Sequence, residues 1–412
     1  MQPVDAYLRP GVLQLSAQPP LSLYVHLPWC LKKCPYCDFN SHALQEHDGA
    51  TLPEDQQQRY LNALCADLEA ALPLIWGRVV HSVFIGGGTP SLFAPAAIDR
   101  LLADIRARLR LEPACEITLE ANPGTFERDR FRAFRGAGVT RLSVGVQSFN
   151  DRHLKALGRV HNATQARAAV AEAAHTFDSF NLDLMYALPG QTLSELEQDI
   201  ETALAESPSH ISIYQLTIEP GTLFDRRPPA HLPDDDSAYA MMDSLTARTA
   251  AAGLRRYEVS AYARDGHQCR HNLNYWQFGD YLGIGAGAHS KLTFPHRIVR
   301  QERLREPQRY MAAALAENNG GGSGTSSGAI AREHEVSRQD LPFEFMLNAM
   351  RLRDGVPIAS FTERTGVSWS SIAPMLQQAE DRGFIARDMQ RIWPTARGLD
   401  FLSDLQALFL PG

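Results

Sequence analysis

The stretch LSLYVHLPWCLKKCPYCDFNS, residues 21 to 41, joins two different kinds of sequence. Its first seven residues form a short apolar run that reads as a strand buried on both faces. Directly after it come Cys30, Cys34 and Cys37, half of the six cysteines in the chain, spaced C-x3-C-x2-C. A structural disulfide explains them poorly, because three is odd and a 412-residue chain has core enough without covalent staples. Metal ligation explains them better. Three thiolates on a 4Fe-4S cluster leave one iron open to a small ligand, and this spacing supplies all three from one loop. Spacing alone also admits a zinc site with His42 as fourth ligand, or a redox pair of Cys34 and Cys37.

Outward from this loop, short apolar runs alternate with longer amphipathic stretches as far as about Thr217, the sign of repeated βα units and a parallel sheet. Six strands are expected, at 21–27, 79–88, 115–123, 140–148, 180–190 and 210–220. Segments such as EDQQQRYLNALCADLEAAL and AAIDRLLADIRARLRL, with apolar residues every three and four, are expected helices between them. Ligand sites in such folds form at the carboxyl ends of the strands, where this chain places glycine-rich and polar clusters.

Farther on, RRYEVSAYA (255–263) reads as one more strand, and HNLNYWQFGDYLGIGAGAHS (271–290) as an aromatic, glycine-rich functional segment. ENNGGGSGTSSGA (317–329) is expected to be a flexible connection. The remainder resembles a winged-helix arrangement. Between Asp340 and Gly412 there are seven Arg and no Lys against nine Asp plus Glu, so this module is expected to pack on the main domain and to read no nucleic acid. The formal charge of −7 argues the same for the whole chain. With no basic segment followed by an apolar one at the N-terminus, and no apolar run long enough to span a bilayer, the expected location is the cytoplasm, with contact to the membrane at most peripheral.

The second strand ends in GGGTP, Gly86 to Pro90. Together, a C-x3-C-x2-C loop after the first strand and a glycine segment after the second resemble the radical S-adenosylmethionine (SAM) family over residues 20 to about 290. The resemblance implies an α/β fold, a partial (β/α)6 TIM-like barrel, with a C-terminal winged-helix-like helical module. It also implies that Cys30, Cys34 and Cys37 hold the cluster, whose free iron is chelated by SAM, and that an electron donor reduces the cluster so that the sulfonium bond breaks to a deoxyadenosyl radical.

Within that family, LSLYVHLPWC, FIGGGTPS, LEANP, LSVGVQSFND, LGRVHNA, NLDLMYALPGQT and HISIYQLTIEPGT resemble the group containing oxygen-independent coproporphyrinogen III oxidases and heme chaperones. By that resemblance Tyr24, Gly87 and Glu120 contact the cluster-bound SAM. Gly88, Thr89, Gln147, Arg159 and Asp183 match the pocket that holds a second SAM in the oxidase, and Tyr36 matches an aromatic residue with a backbone contact there. Taken singly, Glu120 and Asp183 also read as caps of the following turns, and Arg159 as a solvated helix-end charge. Cys65 and Cys115 read as buried core thiols.

Phe39 stands where the oxidase pattern has a fourth cysteine, and Cys30 lies too near the N-terminus for the oxidase leader. Both departures favour the heme chaperones, as does HNLNYW (271–276), which resembles their HNxxYW heme-binding segment. There His271 offers an imidazole to iron, while Tyr275 and Trp276 offer flat faces to a macrocycle. If the segment is helical, His271 and Tyr275 share a face. Read without the resemblance, it is a packed aromatic turn. Arg255, Arg256 and Arg270 are candidates, by charge, for neutralising heme propionates.

The expected protein is thus a heme chaperone with a 4Fe-4S cluster, SAM and heme as cofactors and heme-requiring acceptor proteins as partners. Its expected parts are an N-terminal segment (1–20), the radical SAM core (21–254), a family-specific region (255–316), a flexible linker (317–334) and the C-terminal module (335–412). The alternatives are a coproporphyrinogen III oxidase and a zinc-stabilised regulator.

Overall fold

Six parallel strands stand side by side in chain order: β1 (Leu21–Leu27), β2 (Val79–Gly87), β3 (Arg110–Ala121), β4 (Arg141–Gln147), β5 (Ser179–Tyr186) and β6 (His210–Gln215). The computed structural model describes residues 4–44, 52–125, 128–316 and 328–411. β1 is buried at six of its seven positions, as a strand covered on both faces must be. The crossovers are helices, among them α1 (Glu54–Ala71), α2 (Pro95–Arg108), α3 (Arg128–Ala137), α4 (Ala163–Thr176) and α5 (Leu193–Ala205). Two of these start on reciprocal capping boxes, Asn162 with Gln165 and Thr192 with Glu195, which satisfy otherwise orphaned first-turn amides. Because all six strands run the same way, Leu27, Gly87, Ala121, Gln147, Tyr186 and Gln215 end on one rim.

The sheet does not stop at six strands. A seventh parallel strand, β7 (Asp280–Ile284), pairs with β1 on its free side. It continues antiparallel through β8 (His289–Phe294), β9 (Arg297–Arg303) and β10 (Ile330–Glu335), making a sheet of twelve strands with the two short ones at the other edge. Those two correct the expected strand 255–263: Arg255–Arg256 and Ala261–Ala263 pair antiparallel with each other, and the second pairs antiparallel with β6. β10 likewise corrects the expected linker, since residues 330–334 pair with β9; the part of that linker at 317–327 lies outside the described residues.

The added strands are bolted to the barrel by buried ion pairs. Asp280 on β7 meets Lys291 Nζ at 3.0 Å and Arg78 Nη1 at 2.8 Å, and accepts from Thr293. Asp67 of α1 meets Arg303 of β9 at 3.2 Å and accepts from the Tyr310 hydroxyl. Such pairs hold only while every partner is present.

The C-terminal module has helices Leu341–Ala349, Ala359–Thr365 and Ala373–Asp381 and a three-stranded sheet from Val356–Pro357, Ile385–Arg387 and Arg391–Pro394. Its core is continuous with the main sheet through Phe345 against Phe278, 5.7 Å between ring centroids, and through Ile298. Glu344 pairs with Arg300 at 2.6 Å and Arg351 with Glu258 at 3.3 Å across the same boundary. Among the described residues, no helix is long and apolar enough to cross a membrane.

Candidate functional site

Past the end of β1, Trp29–Cys30 pairs in parallel with His42–Ala43, which closes the intervening residues into a loop over the rim. The loop is tied within itself by Cys37 N to Cys34 O at 3.2 Å and to the barrel through its sulfurs. The Thr89 hydroxyl donates to Cys30 Sγ at 3.4 Å, and Arg159 Nη1 to Cys34 Sγ at 3.5 Å. All six cysteines are unpaired, so no disulfide competes for the trio. Burial pushes the Cys30 thiol up to about 11, so a thiolate there needs strong cationic compensation, of the kind a bound metal would supply. Among the described residues, the trio whose ligand atoms all lie within 4.8 Å of one another is Glu116, Cys269 and His271. The loop thiols stand wider than that, which suits a cube of iron and sulfide better than a single zinc ion shared with His42, whose Nε2 meets Asn40 Oδ1 at 3.3 Å.

β2 delivers the glycines. Gly87 has φ +113°, and a Cβ there would stand 2.5 Å from the His26 ring; a Cβ on Gly88 would stand 2.6 Å from the Trp29 carbonyl oxygen. These glycines are therefore required first by the protein's own close packing at the rim. The Gly87 amide donates to Glu120 Oε2 at 3.1 Å. Burial, and then the charge of Asp183, lift the Glu120 carboxyl to about 8. Asp183 is raised by burial too, although it accepts from Ser143 at 2.8 Å and Asn181 at 2.9 Å. Both carboxyls are raised by burial, so a cation placed between them would be favoured, since it would draw them to the ionised form that binds an ammonium group. At the end of β4, Gln147 takes φ +69°, a conformation that costs a non-glycine residue roughly 1–3 kcal/mol and is concentrated at functional sites. Arg159 donates to the Gly145 carbonyl at 2.8 Å and leaves its buried Nε without a partner.

These groups line one cavity of about 370 Å³, which brings together Cys30, Cys34, Tyr36, Cys37, Gly87, Gly88, Thr89, Glu120, Gln147, Arg159 and Asp183. The donor set fits a cluster carrying a ligand with an amino group: thiols, a glycine strand end, two carboxyls and a buried guanidinium. Tyr24 is not part of it. Its hydroxyl bonds His26 Nδ1 at 2.8 Å, its ring stacks on Phe84, and it lines a second cavity of about 560 Å³.

The two cavities share Asp38, Phe39, Gly87 and Glu120. The HNLNYW segment is a helix, Arg270–Trp276, and the structure divides its residues. Tyr275 and Trp276 line the second cavity. Asn274 sits beneath, donating to Ser22 Oγ and the Asp280 carbonyl. His271 lines neither cavity. It is 5% exposed, its ring stacks on Phe84 at 4.2 Å, and its Nδ1 lies 3.0 Å from Cys269 Sγ and 3.4 Å from Glu116 Oε1. The geometry thus does not present His271 to a ligand. The proposed propionate partners are also displaced: Arg255 pairs with Asp265, Arg256 binds the Val259 carbonyl and Arg270 the Ala114 carbonyl, and none lines a cavity. Cys115 is buried as expected, but Cys65 is only half-buried, within reach of Glu69.

Sequence reasoning missed Ser143, Tyr214 and Met185 in the first cavity and His289, Arg300 and Arg305 in the second. The first three carried a usable signal. Ser143 with Gly145, Asp183 with Met185, and Ser212 with Tyr214 fall two apart along their strands, and so point to one side of the sheet.

Residues 24–203 match the Radical SAM superfamily model, and residues 336–401 match the HemN C-terminal domain model. The chain is 47% identical over 395 residues to the heme chaperone HemW of Haemophilus influenzae, covering 95% of this chain and 98% of that protein. It is 46% identical to heme chaperone HemW of Escherichia coli with the same coverage. In three dimensions it is similar to coproporphyrinogen III oxidase (HemN) from Escherichia coli, with a TM-score of 0.78 at 22% identity, covering 95% of this chain and 90% of that one, which is a likeness of fold. With the radical SAM rim assembled and HemW proteins matched along almost their whole length, the chain belongs to the HemW family of radical SAM proteins.

Proposed function

We propose that this protein is a cytoplasmic heme chaperone that binds heme and passes it to heme-requiring acceptor proteins, meeting any membrane-bound acceptor only peripherally. The near-full-length identity to HemW proteins carries this reading. Cys30, Cys34 and Cys37 would hold a 4Fe-4S cluster. Gly87, Gly88, Thr89 and Glu120 would receive SAM at its amino end, with Gln147, Arg159 and Asp183 completing the cavity. When bound and reduced by a donor protein, this pair supplies one-electron chemistry. The chain's own part is to position them, to offer Glu120 and Asp183 to a cation, and to keep the Cys34 sulfur beside the Arg159 guanidinium.

The oxidase reading shares the fold and meets one specific obstacle. Phe39, where the oxidase pattern has a cysteine, is a 63% exposed aromatic ring on the wall between the two cavities. Anaerobically reconstituted protein, given coproporphyrinogen III, SAM and reductant, is expected to yield no protoporphyrinogen IX, while the same preparation titrated with heme develops a saturable Soret band. Turnover of the porphyrinogen without heme binding would replace the chaperone reading with the oxidase one.

A further inference from the structure

The second cavity has the composition of a porphyrin site. Its walls are aromatic, from Tyr24, Phe84, Tyr275 and Trp276, and its volume of about 560 Å³ falls within the range of cofactor pockets. It is polarised. Asp38 and Glu120 lie on the wall shared with the first cavity, whereas Lys291, Arg300 and Arg305 line only the second. Lys291 is committed to Asp280, and Arg300 to Glu344 and the Tyr281 hydroxyl. Arg305 is exposed and has no salt bridge among the described residues, while its carbonyl is held by Asn40 Nδ2 at 2.8 Å. A planar dianion would therefore find one available guanidinium, and a second shared with a carboxylate, at one end of the cavity.

Two imidazoles line the cavity, and they differ in what their nitrogens are doing. His26 is buried, with Nδ1 at 2.8 Å from the Tyr24 hydroxyl and Nε2 at 2.9 Å from the Asn40 carbonyl. His289, the first residue of β8, is exposed, and lies on the same side of the strand as Lys291, two residues on. Desolvation, together with the cations Arg300 and Arg305, keeps its imidazole toward the neutral form that binds metals, against the pull of Glu302.

Resting on the heme-chaperone reading, we propose that heme occupies the second cavity with His289, not His271, as the imidazole that meets its iron, Arg305 and Arg300 taking its carboxylates, and Tyr275 and Trp276 contacting the macrocycle. His271 and Asn274 are then positioning residues. They anchor the short helix to Phe84, Cys269 and Ser22 so that the two aromatic side chains face the ligand. Phe39 places the cluster loop against the same ligand, because it lines both cavities.

The test is a heme titration of the full-length, cluster-loaded protein, run beside a fluorescence titration with metal-free protoporphyrin IX. His289→Ala is expected to shift the Soret band and to weaken heme binding by about tenfold or more, to leave metal-free protoporphyrin binding unchanged, and to regain the band on adding free imidazole. Arg305→Glu should weaken both ligands alike. Both positions are exposed, so the variants should fold, which circular dichroism and the cluster absorbance verify. A wild-type Soret band retained in His289→Ala, or lost only in a correctly folded His271→Ala, overturns this site while leaving the chaperone reading intact. Failure of the wild-type protein to bind heme at all overturns both.

Discussion

Glu120 closes β3 with a carboxyl that burial and Asp183 hold at about 8, against an ordinary glutamate value of 4.5. A carboxyl whose pKa is raised by folding stabilises the native state fully below its unfolded value and loses that contribution as pH rises through the folded one. The stability of the ligand-free protein should therefore fall across the window up to about pH 8 and just beyond, and Asp183 shifts in the same direction. Replacing Glu120 by Gln removes the larger titration. Melting temperatures measured from about pH 6 to about pH 9 should fall less steeply in Glu120→Gln than in wild type, and parallel curves would contradict this account of the carboxyl. The cysteines make a sharper case. Each of Cys30→Ser, Cys34→Ser and Cys37→Ser should lose the brown cluster absorbance on anaerobic reconstitution, while Cys65→Ser and Cys115→Ser keep it; full iron and sulfide in Cys34→Ser would refute the assignment. That these three thiols share one cavity was readable from sequence, because one short loop carries all three at a C-x3-C-x2-C spacing. His271 was not, because whether an imidazole faces a cavity or Phe84 is decided by how its helix packs, and a hexapeptide does not specify that.

Among elements, the six βα units were readable because each strand is a short apolar run followed by a helix-period segment. β7, β8 and β9 were not. The glycines of GIGAGAH conceal strand propensity, and β7 is a strand because β1 offers it an edge and because Asp280 finds Lys291, Arg78 and Thr293. The far end of the expected linker is a strand for the same cause: the polar run IAREHE becomes β10 by pairing with β9. The seventh strand should accordingly depend on its ion pairs. Asp280→Asn leaves Lys291 buried without its counter-charge and should lower unfolding stability by about 3–5 kcal/mol in denaturant titrations. A loss below about 1 kcal/mol, typical of an exposed pair, would mean that these charges do not fasten the extension.

At the scale of the molecule, the extension and the C-terminal module build what a six-stranded barrel lacks. The rim alone supplies the first cavity. The second needs β7, β8, β9, the Arg270–Trp276 helix and Asn348 of the module, and it abuts the first through Asp38, Phe39, Gly87 and Glu120. The acidic module thus serves as a wall, packed through Phe345 and Glu344, as its charge balance implied. Heme in the second cavity, as proposed, would lie against the wall it shares with the proposed cluster and SAM cavity. A chaperone must deliver what it binds. Heme-loaded protein should be mixed with the heme-free form of a b-type cytochrome, the two separated, and each assayed for heme. The expected result is that heme leaves this protein and appears, spectrally correct, in the cytochrome; heme retained by this protein in the presence of excess acceptor would contradict the account.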